Sequence, residues 1–267
     1  MPKSFNQKLK ILYLMQAFME RTDREHPMSV PDFILYLEGY GISVERKTVY
    51  EDIETLRIFG MKIENRRERP SGYYLADREF SFPELKILMD AVQSSSFITE
   101  RQSRELVRKL EHLTSISEAK RLQNQTSVLS GSKAVNREIY DSIQKICDAM
   151  ADNRQICFNY YEWDFSRELK PKRDGARYRV SPWKMIWNNE NYYLIGLDER
   201  NGIVKHYRVD KIMHVSIESQ KRKGEDIFRN FDFPKYVSGT FGMFGGKEQT
   251  VKMEFENHFV GVVLDRF

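Results

Sequence analysis

The chain has 267 residues, which is enough for two or three domains. Hydrophobic residues make up 40% of it and aromatic residues 13%, so it can form ordinary cores and is not disordered throughout. Its 43 basic residues nearly balance its 39 acidic ones, and the net charge of +4 permits a nucleic-acid partner without requiring one. No stretch approaches the roughly eighteen consecutive apolar residues of a membrane span. The two cysteines, Cys147 and Cys157, have no metal or redox spacing, so we expect both to be reduced and buried in a cytoplasmic protein.

The first part of the chain carries the signals of three short helices. An apolar stripe over residues 6–20 predicts the first helix. The segment 29–32, Ser-Val-Pro-Asp, is typical of a helix start, because Ser caps, Pro fits the first turn and Asp faces the positive end of the helix dipole. After a glycine-containing turn, Ser43 is predicted to cap a third helix, which ends at Gly60. Two short helices joined by such a turn form the helix-turn-helix pattern.

The third helix has the residues of a recognition helix. Val49, Ile53 and Leu56 fall on one face, which we expect to be buried. A recognition helix enters the major groove by its N-terminal part, so only its first two turns need to be polar or positive. A solvated surface helix of mixed charge is the alternative. The residues that we predict to contact DNA from this helix are Arg46, Lys47, Thr48, Tyr50 and Glu51, the last as an acceptor for a cytosine amino group.

A hairpin is predicted directly after this helix, over residues 61–77. A hairpin in this place is a wing, the element that lies along a phosphate backbone or in the minor groove. Its tip carries three predicted DNA contacts, Arg66, Arg67 and Arg69. The alternative is a solvated turn whose arginines are partly neutralised by neighbouring glutamates.

The rest of the chain changes from helical to strand periodicity near residue 154. Helices are predicted at 83–93, 100–113 and 136–151, with a polar linker at 127–136. Strands begin at Arg154 and continue at about 177–187, 191–197, 204–209 and 212–217, as in a small barrel or sandwich. The chain ends on a strand-like run, 251–267, which we expect to continue into a larger protein.

Two segments of the chain resemble one family in the expected order. Residues 191–212, NYYLIGLDERNGIVKHYRVDKI, place Tyr192, Tyr193 and Leu194 at a Trp-Tyr-Leu motif. Upstream, RKTVYEDIETLRIFGMKI and GYYL resemble a winged helix-turn-helix. The chain is therefore similar to the WYL-domain transcriptional regulators with an N-terminal winged helix-turn-helix (DeoR/YafY-like).

This resemblance implies an α+β, multidomain fold with four parts. They are a winged helix-turn-helix DNA-binding domain at 1–78, a helical linker and dimerisation region at 79–135, a WYL ligand-sensing domain at 136–225, and the start of a C-terminal extension at 226–267. The WYL domain would be an SH3/Sm-like small β-barrel. The implied partners are a double-stranded DNA operator, a second copy in a homodimer, and a nucleotide-like or nucleic-acid-derived anionic ligand. Leu85, Leu88 and Met89 would pair protomers or pack within the chain.

A pocket for such a ligand would combine an aromatic face, a hydroxyl group and fixed positive charge. The alternatives are a core role for Tyr193, a salt bridge from Arg208 to Asp210 or Asp198, and an ordinary half-buried His206. The residues predicted to bind the ligand are Ser181, Tyr193, Lys205, His206 and Arg208.

No signature of enzyme chemistry is present in the sequence. The five histidines lack metal-ligand spacing, and GxSxG, Walker and GxGxxG motifs are missing. We therefore expect no catalysis, cofactor or metal. The rival function is an RNA- or single-strand-binding protein that uses the Sm-like barrel as its effector surface. A third is an interaction module in a larger assembly.

Overall fold

The structure, a computed structural model, describes residues 7–125, 133–166, 168–238 and 250–266. The chain divides into two compact units, Met1–Tyr140 and Asp141–Phe267. Helices dominate the first unit and an antiparallel sheet dominates the second, so the fold is mixed α+β. In the part of the chain that is described, no helix has both the length and the apolarity needed to cross a membrane.

The first unit opens with three helices and a hairpin, as predicted. The helices are α1 (Gln7–Arg21), α2 (Val30–Glu38) and α3 (Arg46–Phe59), and the antiparallel strands are β1 (Ile63–Arg66) and β2 (Gly72–Leu75). Val49, Ile53 and Leu56 are buried against residues of α1 and α2, which confirms the predicted inner face of α3. Because this inner face is packed in the core, the opposite face of α3 is exposed to solvent.

Local capping sets the start of α2 and the end of α3. Ser29 and Asp32 form a capping box at the start of α2, and Gly60 ends α3 in the left-handed conformation with φ of 114°. The prediction that Ser43 caps α3 is wrong, because Glu45 occupies the N-cap position without a side-chain cap bond. Val44 packs against the hydrophobic core and Glu45 has an extended backbone, so α3 begins only at Arg46.

Four more helices follow. They are α4 (Phe82–Ser94), α5 (Glu100–Glu111), α6 (Ile116–Gln125) and α7 (Ile139–Ala151). The sequence did not predict α6, a short polar helix whose Leu122 is fully buried by tertiary packing. The predicted helix at 136–151 begins three residues later than expected. Within the predicted linker, residues 127–132 lie outside the described residues, and residues 133–136 have no regular secondary structure.

The apolar face of α4 packs inside its own unit. Leu85 and Met89 are fully buried together with Val107 and Leu122. Leu88 is the member of the predicted pairing face that keeps a substantial exposed surface. Packing within the chain, the alternative to pairing between protomers, therefore accounts for Leu85 and Met89.

The second unit contains a six-stranded antiparallel sheet that curls into a half-barrel. The order is β4-β3-β5-β6-β7, and β8 also pairs with β3. The finer assignment as an SH3/Sm-like barrel stays a prediction. The strands are β3 (Arg154–Trp163), β4 (Leu169–Pro171), β5 (Tyr178–Asn188), β6 (Asn191–Asp198), β7 (Ile203–Arg208) and β8 (Ile212–Lys221).

An aromatic cluster fills the inside of this half-barrel. Phe158 stacks on Tyr178 with 5.7 Å between ring centroids, and Tyr207 meets Phe158 edge-on at 5.3 Å. Tyr160 joins the cluster from β3. The rings come from β3, β5 and β7, so each one holds its strand against the others.

Three short helices follow the sheet: α8 (Glu225–Phe228), α9 (Phe233–Ser238) and α10 (Val260–Arg266). The predicted strand over 251–267 is wrong, since residues 250–256 pair with no strand in the described part of the chain and residues 260–266 are helical. An alternating pattern makes a strand only where another strand accepts its backbone hydrogen bonds. The expected burial of both cysteines is also wrong, because Cys157 is buried but Cys147 is exposed on α7.

Candidate nucleic-acid interface and ligand site

The first turns of α3 present polar side chains to solvent. Arg46, Lys47, Tyr50 and Glu51 are all exposed. The Arg46 guanidinium donates to the Tyr50 hydroxyl at 3.1 Å and lies 5.8 Å from the centroid of its ring. This end of the helix therefore offers fixed positive charge beside an aromatic hydroxyl.

Thr48 is placed differently from its neighbours on α3. Its side chain is half-buried, and its hydroxyl donates to the Glu45 carbonyl oxygen at 2.8 Å. The bond stabilises the first turn, which has no side-chain cap. In the protein without DNA, the Thr48 side chain therefore stabilises the start of α3.

The hairpin places its arginines in two settings. Arg67 and Arg69 are exposed at the turn between β1 and β2. Arg66 is half-buried and donates to the Arg24 carbonyl oxygen at 2.7 Å. Tyr73 on β2 meets Tyr50 on α3 edge-on at 6.3 Å, so the hairpin is packed against the exposed part of that helix.

Three of the predicted ligand-binding residues lie together in the second unit. Tyr193 on β6 is directly opposite Arg208 on β7, and its ring centroid is 6.2 Å from that of His206. Arg208 donates to both carboxylate oxygens of Asp210 at 3.0 and 2.8 Å. This salt bridge is one of the predicted alternatives to a role of Arg208 in ligand binding. His206 Nδ1 lies 2.9 Å from the hydroxyl of Tyr236 on α9.

The protonation of this group is set by burial and by Asp210. Burial lowers the pKa of Arg208, but the hydrogen bond and charge of Asp210 outweigh it, and the pKa is raised. Burial raises the pKa of Tyr160, whose hydroxyl accepts from the Arg208 backbone N–H, to about 12. At neutral pH Arg208 is therefore charged and Tyr160 is neutral.

Lys205 points to the other face of β7. Its ammonium group lies 2.6 Å from Asp198 Oδ2, and the Tyr207 hydroxyl donates to the same oxygen at 3.1 Å. The Asp198 side chain is only 2% exposed. Burial alone would raise the pKa of Asp198, but the bonds from Lys205, the Arg200 backbone N–H and Tyr207 bring it below its ordinary value. Asp198 is therefore a buried, ionised anchor.

Ser181 lies apart from Tyr193, His206 and Arg208. It is opposite Leu197 in the sheet, whereas Tyr193 is opposite Ile186, so the two sites are roughly 15 Å apart along β5. Its hydroxyl accepts from the Lys223 backbone N–H at 2.9 Å and contacts Glu199 at 3.3 Å. The five predicted residues therefore do not line one pocket, because the strand register separates them.

A cleft of about 580 Å³ beside Asp198 was not predicted. Arg173 and Asp174, in the turn after β4, adopt left-handed backbone conformations with φ of 55° and 53°. Each such residue costs roughly 1–2 kcal/mol. The sequence signal was the cation-rich segment 170–179, KPKRDGARYR. The arginines that line the cleft are Arg173, Arg177, Arg179 and Arg200.

Neither unit shows a metal centre in its described residues, where no three His, Cys, Asp or Glu side chains cluster in a way that would hold an ion.

Comparison with known proteins places one domain. Residues 141–217 match the family model of the WYL domain, which confirms the prediction of such a domain in the region of the sheet. A search of curated proteins found no match. A solved structure, that of proteasome accessory factor B/C (PafBC) of Arthrobacter aurescens, matches with 16% sequence identity and a TM-score of 0.29. The match covers 84% of this chain but 35% of that one, so this chain spans about a third of its length.

Proposed function

We propose that the protein is a homodimeric, ligand-responsive transcription regulator that binds a double-stranded DNA operator in the cytoplasm. In this proposal α2, α3 and the β1–β2 hairpin form a winged helix-turn-helix, and the curled sheet is an SH3/Sm-like barrel that senses an anionic ligand. One observation carries the DNA-binding part. The exposed residues of the first turns of α3 include Arg46 and Lys47, and a hairpin with exposed Arg67 and Arg69 packs beside them.

The chemistry of this surface suits a duplex. Arginines on a hairpin beside the recognition helix contact phosphates, which supply affinity but no sequence preference. Polar groups at the tip of α3, such as Lys47 and Glu51, would contact base edges. Glu51 favours a cytosine amino group and disfavours an acceptor in the same place, so it would contribute to the choice of operator.

The match of residues 141–217 to the WYL domain supports the sensing part. A ligand changes DNA binding only if it binds one arrangement of the protein better than another. Winged-helix proteins commonly bind two half-sites about one helical turn apart. The proposed ligand would therefore act by changing the spacing or orientation of two DNA-binding domains in the dimer.

The first experiment is binding to DNA across a salt series. Fluorescence anisotropy would compare the purified chain on a fragment of its own promoter and on a shuffled fragment of equal length. We expect the promoter to be preferred at physiological salt. Equal binding to both fragments that vanishes as salt rises would reflect phosphate attraction alone and would contradict an operator in that fragment.

Two variants test the assigned surface. Lys47→Ala should weaken binding to the promoter by about tenfold, within the roughly 1–3 kcal/mol expected for a base contact. Arg67→Ala should weaken binding to both fragments and reduce the salt slope by about 1. Lys109→Ala, the same loss of charge at an exposed position on α5, is the matched control. Unchanged promoter binding by both test variants would refute the assignment of α3 and the hairpin.

The same assay distinguishes the proposed function from its rival, an RNA- or single-strand-binding protein. A preference for single-stranded RNA that is lost in Tyr193→Ala and kept in Lys47→Ala would assign the effector surface to the sheet. A preference for duplex DNA with two-fold symmetric sequence would exclude that reading.

A further inference from the structure

The arginine cleft of the second unit has the size of a small-molecule site. Its volume of about 580 Å³ lies within the range of roughly 300–1,000 Å³ that is typical of ligand pockets. Its walls come from β3, β5, β8, the turn after β4 and the turn after β6, so it belongs to the sheet itself.

Positive charge exceeds negative charge in this cleft. Of its three carboxylates, Asp198 pairs with Lys205 at 2.6 Å and Glu199 pairs with Lys223 at 2.6 Å. Neither lysine is among the residues that line the cleft, so neither pair uses one of its four arginines. The third carboxylate, Glu218, lies 3.7 Å from Arg179. Partners therefore neutralise all three acids and leave net positive charge for a ligand.

Two of the arginines are held in place by the protein. Arg177 donates from Nη2 to the carbonyl oxygens of Cys157 and His214, each at 2.8 Å, and to the Ser216 hydroxyl at 2.9 Å. Its Nη1 and Nε groups make no further bond with the described residues. Arg173 lies 4.1 Å from the centroid of the Tyr178 ring and 3.7 Å from Asp198. Fixed guanidinium groups lose little freedom when they bind an anion.

Among the four arginines of the cleft, Arg200 is the one whose side chain has no partner in the described part of the chain. Its side chain is exposed, but its backbone N–H donates to Asp198 Oδ1 at 2.9 Å, which fixes the start of its turn. The Arg208 fork, in contrast, is occupied by Asp210. An incoming anion therefore meets available guanidinium donors at Arg177 and Arg200.

We propose that this cleft binds the phosphate group of a small ligand, with Arg177 and Arg200 as its main donors and Arg173 as a supporting charge. Guanidinium groups bind phosphate oxygens through paired, charge-assisted hydrogen bonds. The role of this site in regulation rests on the proposed sensing function, but the binding itself does not. The phosphate belongs to a free ion or to a nucleotide, and the test distinguishes these sources.

The test is isothermal titration of the full chain with inorganic phosphate, pyrophosphate and AMP, at fixed ionic strength. Binding of any of the three that weakens by about tenfold or more in Arg200→Gln and in Arg177→Gln supports the proposal. Arg200→Lys should retain more affinity than Arg200→Gln. The matched control is Arg229→Gln, which removes the same charge from an exposed position just after α8 and should bind like the unaltered chain.

Two results would overturn the proposal. One is the absence of binding of all three compounds at millimolar concentration. The other is equal affinity in Arg200→Gln, in Arg177→Gln and in the control, with thermal unfolding showing that all variants are folded. Promoter binding is measured on the same samples, so a failure of operator recognition with phosphate binding intact would count against the proposed function alone.

Discussion

The two units differ in how their structure is specified. In the first unit, α2, α4 and α5 begin at capping boxes made by residues three apart, Ser29 with Asp32, Ser81 with Glu84 and Thr99 with Gln102. In the second unit, the equivalent polar contacts join different strands, as when Lys205 and Tyr207 of β7 hold Asp198 of β6. Local contacts can be predicted from sequence, whereas contacts between strands depend on register.

The units also differ in what their candidate functional residues do in the free protein. Lys47, Arg67 and Arg69 are exposed and contribute little to the stability of the fold. In the sheet, Ser181, Lys205 and Arg208 each bond to a neighbouring group. Substitutions of these sheet residues should therefore cost stability as well as binding, while those of Lys47, Arg67 and Arg69 should mainly change binding.

The largest expected effect tests the packing between strands in the second unit. Phe158→Ala should lower the free energy of unfolding by about 4 kcal/mol, because it removes a fully buried ring from the aromatic cluster. Tryptophan fluorescence in a urea titration reports on this unit, since the three tryptophans of the chain lie at 163, 183 and 187. Phe165→Ala, at a fully exposed ring, should change the midpoint little. Similar losses in both variants would contradict the assigned core.

An intermediate effect tests the buried charge between strands. Asp198→Asn should lower the free energy of unfolding by about 2 kcal/mol at pH 7, because Lys205 and Tyr207 lose a charged acceptor. Asp226→Asn, at an exposed position on α8, is the control and should cost little. Urea titrations at several pH values would measure both differences.

The pH dependence of the stability loss in Asp198→Asn follows from the lowered pKa of Asp198. A carboxylate with a lowered pKa in the fold contributes its full stabilisation above its unfolded pKa of about 3.9. That contribution is lost as the pH falls through the folded pKa. The deficit of Asp198→Asn should therefore be constant from pH 7 to about pH 5 and shrink below about pH 4. A deficit that grows on acidification would be inconsistent with this role.

The smallest effect tests local capping in the first unit. Ser29→Ala should lower the free energy of unfolding by about 1 kcal/mol, since it removes the capping box of α2. Ser43→Ala should cost less than about 0.5 kcal/mol, because α3 begins after Glu45 and Ser43 is exposed. Ellipticity at 222 nm during denaturation would measure the difference. An equal loss of unfolding free energy in the two variants would indicate that Ser43 does cap α3.

The successes and failures of the sequence predictions follow the same division. Periodicity predicted α1 to α5, the β1–β2 hairpin and the main strands of the sheet, because each pattern is contained within its element. The short helix α6 was missed, since its polar sequence becomes helical around the buried Leu122. The terminal strand was wrong, because no neighbouring strand is present in the described residues to pair with 250–256.

Local sequence patterns were enough to predict most of the helices and strands, the buried face of α3, and a WYL domain, which the family match confirms. Tertiary structure decided which polar residues of the sheet share a site. It separated Ser181 from Tyr193 by strand register, paired Arg208 with Asp210, and gathered Arg173, Arg177 and Arg200 beside Asp198. These residues come from different strands and turns, and distances between them are fixed by pairing and curvature of the sheet, which no local pattern contains.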